Sequence, residues 1–226
     1  PSAQIPEVEP TSRPLPDQQI VNEVLISLKD LPIDAFFEES FKQLGLRDPD
    51  QMFMEGLGDA FGLPNDQFTN ISDAYIRETQ RLQSGILDLL HTYDLSELST
   101  SEKRSYEVYE WFLKGLVQGH AFMYYDYPVN SMSIWGKQNW VIDFMINHQP
   151  ITDKRSAEDY ISRLANIDLW TDQLIQGLKL REKAGVIPPK YLIEESVSQI
   201  EGHIQWNGRD SQYSKGVELY TYFREQ

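Results

Sequence analysis

A chain of 226 residues with 40% hydrophobic and 12% aromatic content is long enough to bury a substantial core, and one or two domains are expected. Lys+Arg 20 against Asp+Glu 35 leaves a formal net charge of -15 and a pI near 4.6, a balance that repels nucleic acid and anionic membrane surfaces. Cysteine is absent, which excludes disulfides, thiolate nucleophiles and sulfur-ligated metals. No apolar run approaches the roughly twenty residues of a transmembrane helix.

Residues 1–16 carry Pro1, Pro6, Pro10, Pro14 and Pro16 with few large apolar side chains. Such a stretch reads as an extended, semi-rigid linker: either an unstructured terminus or what remains once an export signal is removed. From Asp17 onward a single helical domain, 17–226, is expected. Val21, Val24, Leu25, Leu28 and Leu31 repeat at three and four until Pro32 ends the helix. A second helix is expected from Asp34 as N-cap, with Phe37, Phe41 and Leu44 on one stripe and Gly45 as C-cap. Asp48-Pro49 starts a third, with proline at its first position and Met52, Phe53, Leu57 and Phe61 on the apolar face. The Gly62-Leu63-Pro64-Asn65 run closes it.

Tyr75, Leu82, Ile86, Leu89, Leu90 and Tyr93 form a long stripe, with Arg77, Glu78, Gln80 and Arg81 assigned to the wet face. Ser99 with Glu102 is a capping box, followed at helical spacing by Tyr106, Tyr109, Leu113, Leu116 and Val117. Trp135, Trp140, Ile142, Phe144 and Ile146 predict a compact apolar helix ending before Pro150. Residues 153–183 exceed the common helix length of roughly ten to fourteen residues, so two helices meeting near Asp168 are expected. Gly185 and Pro188-Pro189 end that region, and a last helix is expected over 190–205. No run alternates at period two for long enough to make a strand. The expected fold is all-α, a multi-helix array.

Between the capping-box helix and the compact apolar one lies Phe122-Met123-Tyr124-Tyr125-Asp126-Tyr127-Pro128-Val129-Asn130. So many rings beside a helix-stopping proline and a turn-favouring asparagine point to the wall of a cleft. Tyr124, Tyr125, Asp126, Tyr127 and Asn130 are the candidate substrate-binding residues, with His120 and Trp135 nearby. The tyrosines flanking Asp126 either desolvate its carboxylate or hold it by hydroxyl hydrogen bonds with a purely structural result.

No catalytic motif accompanies this run. His91, His120, His148 and His203 never adopt the His-Glu-x-x-His spacing that puts two imidazoles and a base on one helical face. Neither a catalytic residue nor a metal ligand is assigned, and no cofactor is expected in this chain. Glu38-Glu39 and Glu194-Glu195 read as solvated faces of an acidic protein. Gly56 and Gly58 sit in an apolar helical pattern without the Lys or Ser/Thr of a phosphate loop, and no Gly-x-Ser-x-Gly elbow occurs.

Several segments in one order carry a resemblance: Leu46-Arg47-Asp48-Pro49, Asp73-Ala74-Tyr75-Ile76-Arg77-Glu78-Thr79, Tyr106-Glu107-Val108-Tyr109-Glu110-Trp111, the aromatic run, Asp159-Tyr160-Ile161-Ser162-Arg163-Leu164 and Ala184-Gly185-Val186-Ile187-Pro188-Pro189. Together they resemble the bacterial "domain of unknown function 885" family over most of the chain after Asp34. Members of that family are similar to zincin-type metallopeptidases: helical, often exported or lipid-anchored, and much longer, with a His-Glu-x-x-His zinc motif in the C-terminal half. The resemblance therefore implies the N-terminal helical part of a larger zincin-like fold, truncated at its C-terminus, with zinc in the missing half. No residue here matches that motif, so no ligand or catalytic glutamate is carried over.

Two functions follow. In the first, the chain is the substrate-channel part of a peptidase-like hydrolase, not catalytic by itself, whose partners are its own missing half and a peptide substrate. In the second, it is a non-catalytic helical module that binds a peptide or protein through the same aromatic patch. An amphipathic stretch over 213–223 that runs to the end without a cap favours the first. The implied location is the bacterial periplasm, cell envelope or exterior.

Overall fold

The computed structural model describes residues 18–132 and 136–204, and every described element is helical. The proline-rich linker, the 213–223 stretch and Trp135 lie outside the described residues. The helices are α1 Gln18–Leu28, α2 Ile33–Gly45, α3 Pro49–Met54, α4 Asp73–Leu90, α5 Thr100–Gly119, α6 Lys137–Asn147, α7 Lys154–Ala165, α8 Ile167–Lys183 and α9 Lys190–Ile204.

Local chemistry sets most of their ends. The Ser99 hydroxyl accepts from the Glu102 amide while the Glu102 carboxylate accepts from the Ser99 amide, closing the expected capping box. Asp153 and Ser156 cap α7 in the same reciprocal way. Asp48 caps α3 by accepting from the Gln51 amide at 3.2 Å, with Pro49 at the first helical position. The long 153–183 segment does break, at Asn166, two residues before the expected point.

Other boundaries differ from expectation. The first helix ends at Leu28, and Asp30 turns the chain at a φ of 61° before Leu31. Asp34 is not the cap of α2; it lies in the first turn behind Pro32, where a carboxylate is favoured by the positive end of the helix dipole. Gly45 is the buried last residue of α2 and, without a positive φ, not a left-handed cap; its place is set by packing, since an added Cβ would meet the Met52 sulfur at 2.9 Å. The third helix stops at Met54, since Gly56 at φ 72° reverses the chain.

Two clusters of buried apolar side chains organise the molecule. The first joins α1, α2, α4 and α5 around Leu28, Phe36, Ile86, Leu90 and Leu113, each fully buried. Phe36, not the half-exposed Phe41, is its aromatic centre, with the Tyr93 ring 5.3 Å away. The second is built on α6, α7 and α8, where Phe68, Trp140, Phe144 and Trp170 pack ring on ring at 5.4–6.1 Å around Tyr160. Glu78 is buried, not on the wet face: Arg47 pairs with it at 2.8 Å and lays its guanidinium 3.7 Å from the Tyr75 ring centroid. Arg47 supplies, at Oε2, the opposite charge and hydrogen bond that a buried carboxylate requires.

Candidate functional site

The aromatic run leaves α5 through one 3₁₀ turn, His120–Phe122, and reaches α6. Its far end is closed by backbone and amide bonds: Asn130 Nδ2 donates to the Tyr127 carbonyl at 2.7 Å, Gln138 Nε2 to the Asn130 carbonyl at 2.8 Å, and the Lys137 amide to the Pro128 carbonyl at 2.8 Å. Asn130 thus forms the turn its residue type favours.

Tyr124 fixes the middle of the run. Its hydroxyl donates to Asp73 Oδ1 and accepts from Arg77 Nη2 at 3.1 Å, while the Arg77 and Arg181 guanidinium carbons lie 5.9 and 5.8 Å from its ring centroid. One tyrosine therefore ties the run to α4 and to α8. Partial burial raises the Asp73 pKa, but the Tyr124 and Arg77 hydrogen bonds outweigh it and hold the carboxyl below its ordinary range. Burial, with the Asp73 hydrogen bond, pushes the Tyr124 phenol up.

Asp126 is exposed, and its partner is an arginine instead of a tyrosine hydroxyl: Arg181 Nε donates to Oδ1 at 2.8 Å. The same guanidinium donates to the Met123 and Gly177 carbonyls. Tyr125 is 73% exposed and, among the described residues, its ring meets the Phe122 ring edge-on at 6.0 Å. His120 caps α5, with Nε2 2.7 Å from Gln83 Oε1, and burial pushes its imidazole pKa down.

A cleft of about 350 Å³ opens beside the run. Tyr127, Pro128 and Val129 form one wall, Ile175 and Leu178 of α8 a second, and Ile193, Val197 and Ile200 of α9 a third. Asp126, Arg181 and Lys179 bring charge to an otherwise apolar lining. Of the candidate residues, the structure gathers Asp126 and Tyr127 on this cleft. Tyr124 and Asn130 hold the run in place, while Tyr125 and His120 lie outside the lining. Sequence reasoning missed Arg181 and the α8 and α9 walls, because Leu178, Ile193, Val197 and Ile200 fall within expected helices whose apolar positions do not by themselves distinguish a core from a cleft. Ile193 and Val197 are in fact 42% and 47% exposed.

Among the described residues no three His, Asp or Glu side chains gather into a group that could hold a metal ion. A zinc ion does not fit any ligand set visible here, and no chemical step is derived through one. None of the described helices is long and apolar enough to cross a membrane.

The fold and cleft define an all-helical protein with an apolar, charge-rimmed groove. The chain belongs to the bacterial family of proteins of unknown function DUF885, whose family model matches residues 52–224. That match begins within α3 and takes in the aromatic run, α8 and α9. No curated protein and no solved structure matches the chain.

Proposed function

We propose that the cleft beside Tyr127 binds peptide, and that the chain is the substrate-channel part of a peptidase-like hydrolase whose catalytic zinc would be held by residues other than those described. The observation that carries the binding reading is the lining itself. Three apolar walls with a few charged groups at their edge match the general pattern of ligand pockets, in which apolar surface supplies affinity and a few polar groups fix orientation. A cleft of about 350 Å³ suits one or two apolar side chains of an extended peptide better than a whole folded partner. The hydrolase assignment rests on the family resemblance, and export from the bacterial cytoplasm is part of the same proposal.

The test is a titration with fluorescein-labelled hexapeptides bearing Leu, Phe or Val at successive positions, followed by anisotropy, with mass spectrometry of the peptides afterwards. Saturable binding that depends on the apolar positions supports the reading. Equal anisotropy for these peptides and an all-Gly/Ser hexapeptide would remove it. Peptides bound and recovered intact by the 226-residue chain agree with a binding part that is not catalytic by itself; cleavage by this chain would overturn that half of the proposal.

A further inference from the structure

Lys137 opens α6 directly after Gly136, and its position works against its own charge. The first turn of α6 carries no acidic residue and its cap makes no side-chain hydrogen bond, so the ammonium sits at the positive end of an uncompensated helix dipole. The side chain is half-buried, with Nζ 4.4 Å from the centroid of the Trp140 ring. That ring is itself held by Phe68, Phe144 and Trp170, which gives the amine a fixed position.

Among the described residues no carboxylate pairs with Nζ and no oxygen accepts a hydrogen bond from it. Three carboxylates act on it from a distance, and each is engaged elsewhere. Asp48 accepts from the Gln51 amide and the Thr69 hydroxyl, Asp50 pairs with Arg163, and Asp126 pairs with Arg181. A lysine bonded to a carboxylate keeps its proton, whereas one desolvated against an apolar ring gives it up more readily. Burial outweighs the pull of the three carboxylates and holds the Lys137 amine below the ordinary lysine range.

We propose that Lys137 is a nucleophilic site that condenses with small aldehydes to form an imine at Nζ. The lone pair of the neutral amine adds to the carbonyl carbon, and a proton passes from nitrogen to the new oxygen. The carbinolamine then expels its hydroxyl with the remaining nitrogen proton as water, leaving C=N where C=O stood. No oxidant or reductant is consumed. Desolvated lysines are the usual amines of such chemistry. When the imine takes up a proton, its charge rests on the Trp140 face as the ammonium's did. An aromatic face and three carboxylates suit a product that carries positive charge, whereas acyl transfer to the same amine would call for donors to an oxyanion.

The test is labelling of the 226-residue chain with propionaldehyde and cyanoborohydride, which supplies the hydride that makes the imine permanent, followed by peptide mapping. Lys154, Lys183 and Lys190 are exposed and serve as references in the same sample. Exposure alone would label them first. Lys137 should instead be labelled at least about tenfold faster than any of them at pH 7, and should lose that lead at pH 10.5, where ordinary lysines are about half deprotonated. Labelling of Lys137 no faster than the three references at pH 7 overturns the proposal. So does a lead that is as large at pH 10.5, which would trace the selectivity to aldehyde binding and not to the amine.

Discussion

Arg163 of α7 reaches Asp50 of α3 with Nη1 2.6 Å from Oδ1, and neither side chain is more than 3% exposed. The guanidinium also donates to Asn65 Oδ1 at 2.7 Å and lies 4.8 and 4.5 Å from the Phe68 and Phe144 ring centroids, while Asp50 Oδ2 accepts from the Thr69 amide. The pair thereby fixes the loop that carries Phe68 into the second aromatic cluster. Burial raises the Asp50 pKa against the pull of Arg163, so the carboxylate depends on its partner.

Arg163→Met is therefore expected to destabilise the protein by about 3–5 kcal/mol, the usual result of leaving a buried charge alone. Adding Asp50→Asn should restore part of that loss, because the uncompensated charge is gone. Urea unfolding of both single variants and the double variant measures the coupling. Strict additivity would show that the two residues act independently.

Tyr124→Phe should cost about 1 kcal/mol, the net contribution of an ordinary hydrogen-bonded hydroxyl. The ring remains beside Arg77 and Arg181, and the Asp73–Arg77 pair at 2.9 Å persists on one turn of α4. Tyr124→Ala should cost more, since it also releases the aromatic run from both helices. Equal urea midpoints for the two variants would mean that the ring contributes nothing to holding the run.

The helical architecture was legible because its determinants are local. The Ser99 and Glu102 capping box, the Asp48-Pro49 start and the stripe of α4 all lie within a turn or two of the features they specify. What escaped was set by distance along the chain. Glu78 reads as a wet-face residue until Arg47 arrives from the turn between α2 and α3, and Gly45 reads as a cap until Met52 packs against it. The site divides in the same way. The aromatic run is conspicuous in sequence, but Arg181 and the walls from α8 and α9 are brought to it by tertiary packing. An apolar stripe alone does not reveal whether it faces a core or a cleft.

His120 should make stability fall in mild acid. Burial holds its folded-state pKa below the ordinary 6.5, so as pH drops through 6.5 the unfolded chain takes up the proton first and is favoured. The contribution is complete above about pH 6.5 and declines from there toward the folded-state pKa. His120→Gln removes the titration, so the stability difference between wild type and variant should shrink or reverse between pH 7.5 and 5.5 in thermal melts. A difference that stays constant over that interval would show that His120 titrates alike in both states.

Two neighbouring tyrosines offer the sharpest check on the cleft. Tyr127 lines it at 39% exposure, while Tyr125 points elsewhere at 73%. Neither ring belongs to either buried cluster, so truncating either one should change the urea midpoint little. Tyr127→Ala, however, removes most of an aromatic wall and is expected to weaken binding of apolar hexapeptides by about 1–3 kcal/mol, or roughly five- to 150-fold. Tyr125→Ala should leave the same titration within twofold of wild type. If Tyr125→Ala weakens binding and Tyr127→Ala does not, peptide sits on the outer face of the run against Phe122, and the groove between α8 and α9 is not the binding site.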